Sequence, residues 1–127
     1  MPPLRQLLDR RALGQRAEAR AERWLQQQGL VAVGRNFRCR QGEIDLIMRS
    51  QDTLVFVEVR LRSSDSHGGA LASVTPRKQQ RLIQAARYYL ARHPACQQLP
   101  CRFDVLGLAP AGDDYRFDWV PNAFYAE

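Results

Sequence analysis

The chain has 127 residues, 45% apolar and 25% charged, enough for one folded domain and too few for two with adequate cores. No stretch approaches the roughly 18 apolar residues of a membrane span. The N-terminus is polar and basic, unlike a secretory signal, so the expected location is the cytoplasm. A formal net charge of +6 and a pI near 9.9 point to a polyanionic partner, nucleic acid above all. Lys78 is the only lysine among the 19 basic residues, so the chain is strongly biased toward arginine. Cys39, Cys96 and Cys101 are odd in number and lack the short spacing of a zinc knuckle, which suggests buried or idle thiols.

Taken in order, residues 1–10 are expected to be a flexible extension of a single domain over 1–127. The first helix is predicted from about Arg11 to Gln28, with Gly29 as its stop signal. Leu13, Ala17, Ala21, Trp24 and Leu25 share one face of it, and Glu18 lies on the shoulder of that face. Three strands follow over Leu30–Cys39, Glu43–Met48 and Thr53–Arg62, with Ser50, Gln51 and Asp52 turning between the last two. A loop with Ser63, Ser64, Ser66, Gly68 and Gly69 leads to the second helix. Thr75 can cap that helix and Pro76 takes its first position, while His93-Pro94 ends it. Leu82, Ala85, Ala86, Tyr89 and Leu90 form its apolar stripe. Cys101–Leu108 and Tyr115–Val120 read as the last two strands. The fold class is α/β, a mixed sheet flanked by helices in the order α-β-β-β-α-β-β.

The third strand places Val55, Val57, Val59 and Leu61 on one face and Leu54, Phe56, Glu58 and Arg60 on the other. Apolar residues on both faces mark a central strand, where a carboxylate is costly without a partner. With Gln51 and Asp52 at the centre of the turn, partner numbers sum to 103. Asp45 then faces Glu58, and Glu43 faces Arg60. Like charges directly opposite are destabilising. A divalent cation gives a reason for them, since magnesium takes one or two carboxylates plus waters. A different register, or a Glu58–Arg60 pair along one strand, would remove that need.

The run Gly42-Glu43-Ile44-Asp45 followed by Val55-Phe56-Val57-Glu58-Val59-Arg60 resembles the YraN-like family of bacterial proteins. So do Gly14 with Glu18 and Ala21, Arg35-Asn36, Thr75-Pro76-Arg77-Lys78 and Cys101-Arg102-Phe103-Asp104-Val105. The resemblance spans nearly the whole chain and implies a restriction-endonuclease-like fold, shared with Holliday-junction resolvases. It also implies that Asp45, Glu58 and the Val59 carbonyl hold Mg²⁺ or Mn²⁺, with Glu18 assisting directly or through water. Arg60 stands where the superfamily usually has lysine. Arginine keeps the charge but is not a compact, pKa-tunable ammonium. Lys78 could supply that ammonium, the plain alternative being a solvated first-turn lysine.

The expected activity is metal-dependent endonucleolytic cleavage of DNA, with branched or junction DNA suggested by the resolvase-like relatives. Glu18, Asp45, Glu58, Arg60 and Lys78 would form the catalytic set, and Arg35, Arg38, Arg40, Arg62, Gln79 and Arg81 would contact the nucleic-acid backbone. The alternatives are a nucleic-acid-binding module with a degenerate, non-catalytic site and a protein-contacting adaptor. Resolvase-like relatives often act as dimers, so a homodimer is compatible, and Phe124 and Tyr125 are candidates for its interface.

Overall fold

In a computed structural model of the chain, residues 3–63 and 68–126 are described, with residues 7–10 described by backbone alone. The expected loop serines Ser64 and Ser66 lie outside the described residues. The elements are α1 (Leu4–Gln27), β1 (Val31–Cys39), β2 (Gly42–Ser50), β3 (Thr53–Leu61), α2 (Pro76–Ala91), β4 (Cys101–Ala111) and β5 (Asp114–Phe124). Short 3₁₀ turns occupy Ala70–Ser73 and Pro94–Cys96. The order α-β-β-β-α-β-β is the one expected from sequence.

All five strands form one sheet in chain order, β1-β2-β3-β4-β5. Neighbouring strands are antiparallel except β3 and β4, which run parallel and are joined through α2. That crossover makes β3 the central strand, as its two apolar faces require. One layer packs α2 through Leu82, Ile83, Ala85, Ala86 and Tyr89 against Ile47, Leu54, Phe56, Phe103 and Val105. The other packs α1 through Ala17, Ala21 and Leu25 against Leu46, Met48, Val55, Val57, Leu106 and Leu108. Thr75 caps α2 as expected, its Oγ1 accepting from the Lys78 N–H at 3.2 Å, with Pro76 opening the helix.

Several boundaries and placements differ from the sequence expectation. Helix α1 begins at Leu4 rather than at the expected Arg11. Pro3, with φ of −59°, precedes it, and nothing between Leu4 and Arg11 breaks a helix. Leu13, expected on the buried face, remains 43% exposed. Instead it borders an open groove with Arg16, Arg20, Arg23 and Asp114. None of the three cysteines is buried: Cys39 and Cys96 are half-buried, Cys101 is exposed, and all three are free thiols.

The β2–β3 hairpin has the expected register, from Ser50↔Thr53 to Leu46↔Val57, with Gln51 in the left-handed region at φ 53°. The ladder stops there, short of Asp45 and Glu58. Side-chain alternation breaks at the same place. Leu46 belongs to the α1 layer, but Ile44, two residues away, belongs to the α2 layer. Strand β1 turns with it: Arg35 pairs with Leu46, Phe37 with Ile44, and Asn36 between them has φ 58°. Asparagine tolerates this left-handed conformation better than most residues. The β1–β2 ribbon therefore changes face at Asn36 and Asp45.

Candidate functional site

Asp45 lies in the gap left by the shortened ladder. Its Oδ2 accepts the Val59 N–H at 2.8 Å, a donor that the ladder leaves without a partner on β2. A residue's N–H and C=O point to the same edge of a strand, so the Val59 carbonyl also faces this gap. The Asp45 carboxylate is also within hydrogen-bonding reach of the Glu58 carboxyl on β3 and the Glu18 carboxyl on α1. Glu18 also contacts the Asn36 side chain. The change of face in β2 explains the arrangement: α1 supplies Glu18 from one side and β3 supplies Glu58 from the other.

Carboxylates hydrogen-bond to each other only when one of them is protonated. Burial pushes Glu58 up to about 7, helped by the Asp45 charge and opposed by Arg60 and Lys78. Burial likewise raises Glu18 to about 7, again with the Asp45 charge adding to it. Asp45 is raised chiefly by burial, and its hydrogen bond from Val59 acts in the opposite direction. The three acids crowd one another, and each is held above its ordinary carboxylate value.

The cations lie on the α2 side. Arg60 Nη1 is 3.5 Å from Glu58 Oε2, which realises the same-strand pair considered from sequence. The Arg60 Nε donates to Ser73 Oγ at 3.2 Å. Lys78 and Arg81, from the first turns of α2, border a cleft of about 110 Å³ together with Glu43, Glu58 and Leu82. Gly42 allows α2 to come this close, since a Cβ there would fall 2.6 Å from the Arg81 carbonyl oxygen. The structure thus brings Glu18, Asp45, Glu58, Val59, Arg60 and Lys78 into one place.

The other sequence candidates are spread around this centre. Glu43 does not pair across the hairpin with Arg60. Beyond Leu46 and Val57 the strands have parted, and Glu43 instead meets Arg38 at 3.2 Å. Arg35 pairs with Glu22 at 3.7 Å, Arg40 is exposed in the β1–β2 turn, and Arg62 Nη1 donates to the Gly68 carbonyl at 3.3 Å. The Gln79 amide donates to the Val74 carbonyl at 3.1 Å and so braces the start of α2. Sequence reasoning missed Ser73, Asn36 and the surroundings of Asp104. Only Asn36 carried a signal, as a residue suited to a left-handed turn inside a strand.

Among the described residues, no group of three or more His, Cys, Asp or Glu side chains is arranged to hold a metal ion. What exists is a carboxylate pair with a third acid within hydrogen-bonding reach of one member. Magnesium needs no more than one or two carboxylates when waters complete its shell, so the donor set suits a hard divalent cation. Among the described residues no helix is long and apolar enough to cross a membrane.

A family model described as uncharacterised protein family UPF0102 matches residues 17–108, a span that includes every acid of the site and both cations from α2. A UPF0102 protein of Alcanivorax borkumensis is 56% identical over 128 residues, covering all of both chains. One from Aeromonas hydrophila is 56% identical over 87% of this chain and 83% of its own. Another from Nitrosomonas europaea is 54% identical over 87% of this chain and 92% of its own. The chain belongs to the UPF0102 family, the YraN family that its strand motifs resemble.

Proposed function

We propose that this protein is a metal-dependent endonuclease hydrolysing phosphodiester bonds in DNA. One observation carries the reading. Asp45 and Glu58 are two acids brought together in the opened end of a hairpin, where Asp45 receives the Val59 N–H and burial holds both carboxyls above their ordinary values. Magnesium or manganese held by Asp45, Glu58 and the Val59 carbonyl would activate water and neutralise charge on the phosphate. Glu18 would assist, directly or through water. Arg60 would stabilise charge on the phosphate oxygens, with the Lys78 ammonium as a second cation across the cleft. Arg35, Arg38, Arg40, Arg62, Gln79 and Arg81 would follow the nucleic-acid backbone, giving binding a steep salt dependence. Branched or junction DNA is the first substrate to test.

The test is cleavage of branched, flapped and single-stranded DNA with magnesium or manganese, alongside Glu58→Ala and a metal titration of wild type and Asp45→Ala. Cleavage lost in Glu58→Ala, with tighter metal binding to wild type than to Asp45→Ala, supports the assignment. Cleavage surviving Glu58→Ala would sink it. The Arg60–Glu58 ion pair favours one rival, a DNA-binding module whose site is satisfied without metal. Salt-sensitive DNA binding with no metal binding would establish that rival.

A further inference from the structure

Arg60 is held from two sides. Its Nη1 reaches toward Glu58, and its Nε donates to the Ser73 hydroxyl. That hydroxyl spends its own proton on the Ala70 carbonyl at 2.6 Å, which turns a lone pair toward the guanidinium. The Ala70–Ser73 turn is itself anchored, since the Ala70 N–H donates to Asp118 Oδ2 at 2.7 Å. It descends onto the sheet at Gly107, the β4 residue paired with Arg60, where a Cβ would lie 2.7 Å from the Ala70 Cβ. The support under Arg60 is therefore a chain of fixed contacts running from β5 through the turn to Ser73.

A guanidinium has five N–H groups in a rigid fork, so it can meet Ser73 and Glu58 at once and still have donors for a phosphate oxygen. The Arg60 side chain retains 27% exposure for that purpose. Lysine has no Nε donor within its stem, so it could address both partners only from the one nitrogen at its tip and without the fixed fork geometry. We infer that Ser73 is a positioning residue for Arg60, and that position 60 of this chain is built for arginine rather than being a lysine site that drifted. The functional half of this inference rests on the nuclease reading. The structural half does not.

The test uses the full chain with Ser73→Ala, Ser73→Thr and Arg60→Lys. The Arg60 Nε–Hε NMR resonance is identified by its loss in Arg60→Lys. Hydrogen exchange at that site is expected to quicken about tenfold or more in Ser73→Ala, where a protected donor becomes exposed, and to stay slow in Ser73→Thr. Unchanged exchange in Ser73→Ala overturns the inference, whatever the protein's activity. In DNA cleavage, Ser73→Ala should lower kcat about tenfold with KM unchanged, the signature of a misplaced group acting in the transition state. Adding Ser73→Ala to Arg60→Lys should cost nothing further. An equal loss in both backgrounds overturns the coupling. If wild type itself cuts no DNA, the nuclease reading fails, and the exchange measurement still decides whether Ser73 holds Arg60.

Discussion

Among the described residues two aspartates are buried, and their surroundings are opposite. Asp104 on β4 is fully buried, with four donors: Arg102 Nε and Nη2 at 3.0 and 3.2 Å, Trp119 Nε1 at 3.0 Å and the Asn122 N–H at 2.9 Å. Asp45 on β2 is 9% exposed and receives one backbone N–H, with acids as its other partners. A buried carboxylate needs donors or a cation. Asp104 has its donors within the fold, which marks it as structural. It fixes the end of β5 where the pairing with β4 shifts between Phe103 and Val105 and where Asn122 adopts φ 51°. Asp45 lacks such a set, and the proposed metal ion would be the partner that completes it.

Substitutions at the two positions should therefore behave in opposite ways. Asp104→Ala carries the largest expected effect, a loss of about 3 kcal/mol in urea unfolding. That is the lower end for breaking a buried pair, because Arg102 reaches solvent. Asp45→Asn, measured without divalent cations, should leave stability within about 1 kcal/mol of wild type or raise it, since it removes charge from a crowded acid site. Its cost should appear only with manganese present. Wild type would gain about 2.7 kcal/mol at a hundredfold excess over Kd, and the variant nothing. If Asp45→Asn costs as much as Asp104→Ala, the contrast between the two sites is wrong.

The smallest effect is on pH dependence. Glu58 goes from an ordinary value of 4.5 when unfolded to about 7 in the folded chain, pushed first by burial. Between those values the folded state binds more protons than the unfolded one, so stability falls as pH rises. The contribution is complete below pH 4.5 and lost by the time pH passes 7. Glu58→Gln removes it. Metal-free wild type should lose a few degrees more in melting temperature than this variant between about pH 5 and pH 8. Equal losses would mean that Glu58 is not strained. Glu18 contributes in the same sense, reduced by its greater exposure to solvent.

The features legible in the sequence were the local ones. Gln51-Asp52 set the hairpin register, the alternation of β3 put Glu58 and Arg60 on one face, and Thr75-Pro76 set the start of α2. Each depends on residues a few positions apart, where spacing alone determines geometry. The features that were missed depend on distant partners. Whether Asp104 is a ligand or a structural anchor is decided by Trp119 and Asn122 on the next strand. The parting of β2 and β3 beyond Leu46 coincides with the left-handed Asn36 in β1, on the neighbouring strand. Past that point Glu43 meets Arg38 rather than Arg60. Leu13 kept a helical pattern but ended beside the β4–β5 turn, which no periodicity could reveal.

The change of face at Asp45 also has a mechanical consequence. The sheet separates α1 from α2, and each helix packs only on its own side of it. At Asp45 that separation is bridged: Glu18 reaches the carboxylate from α1, and Glu58 connects it to Lys78 at the head of α2. A charge captured there would pin the two outer layers to a common point. Amides in the middle of α1 and in the first turns of α2 would then gain protection from solvent exchange together, although the two helices belong to different cores.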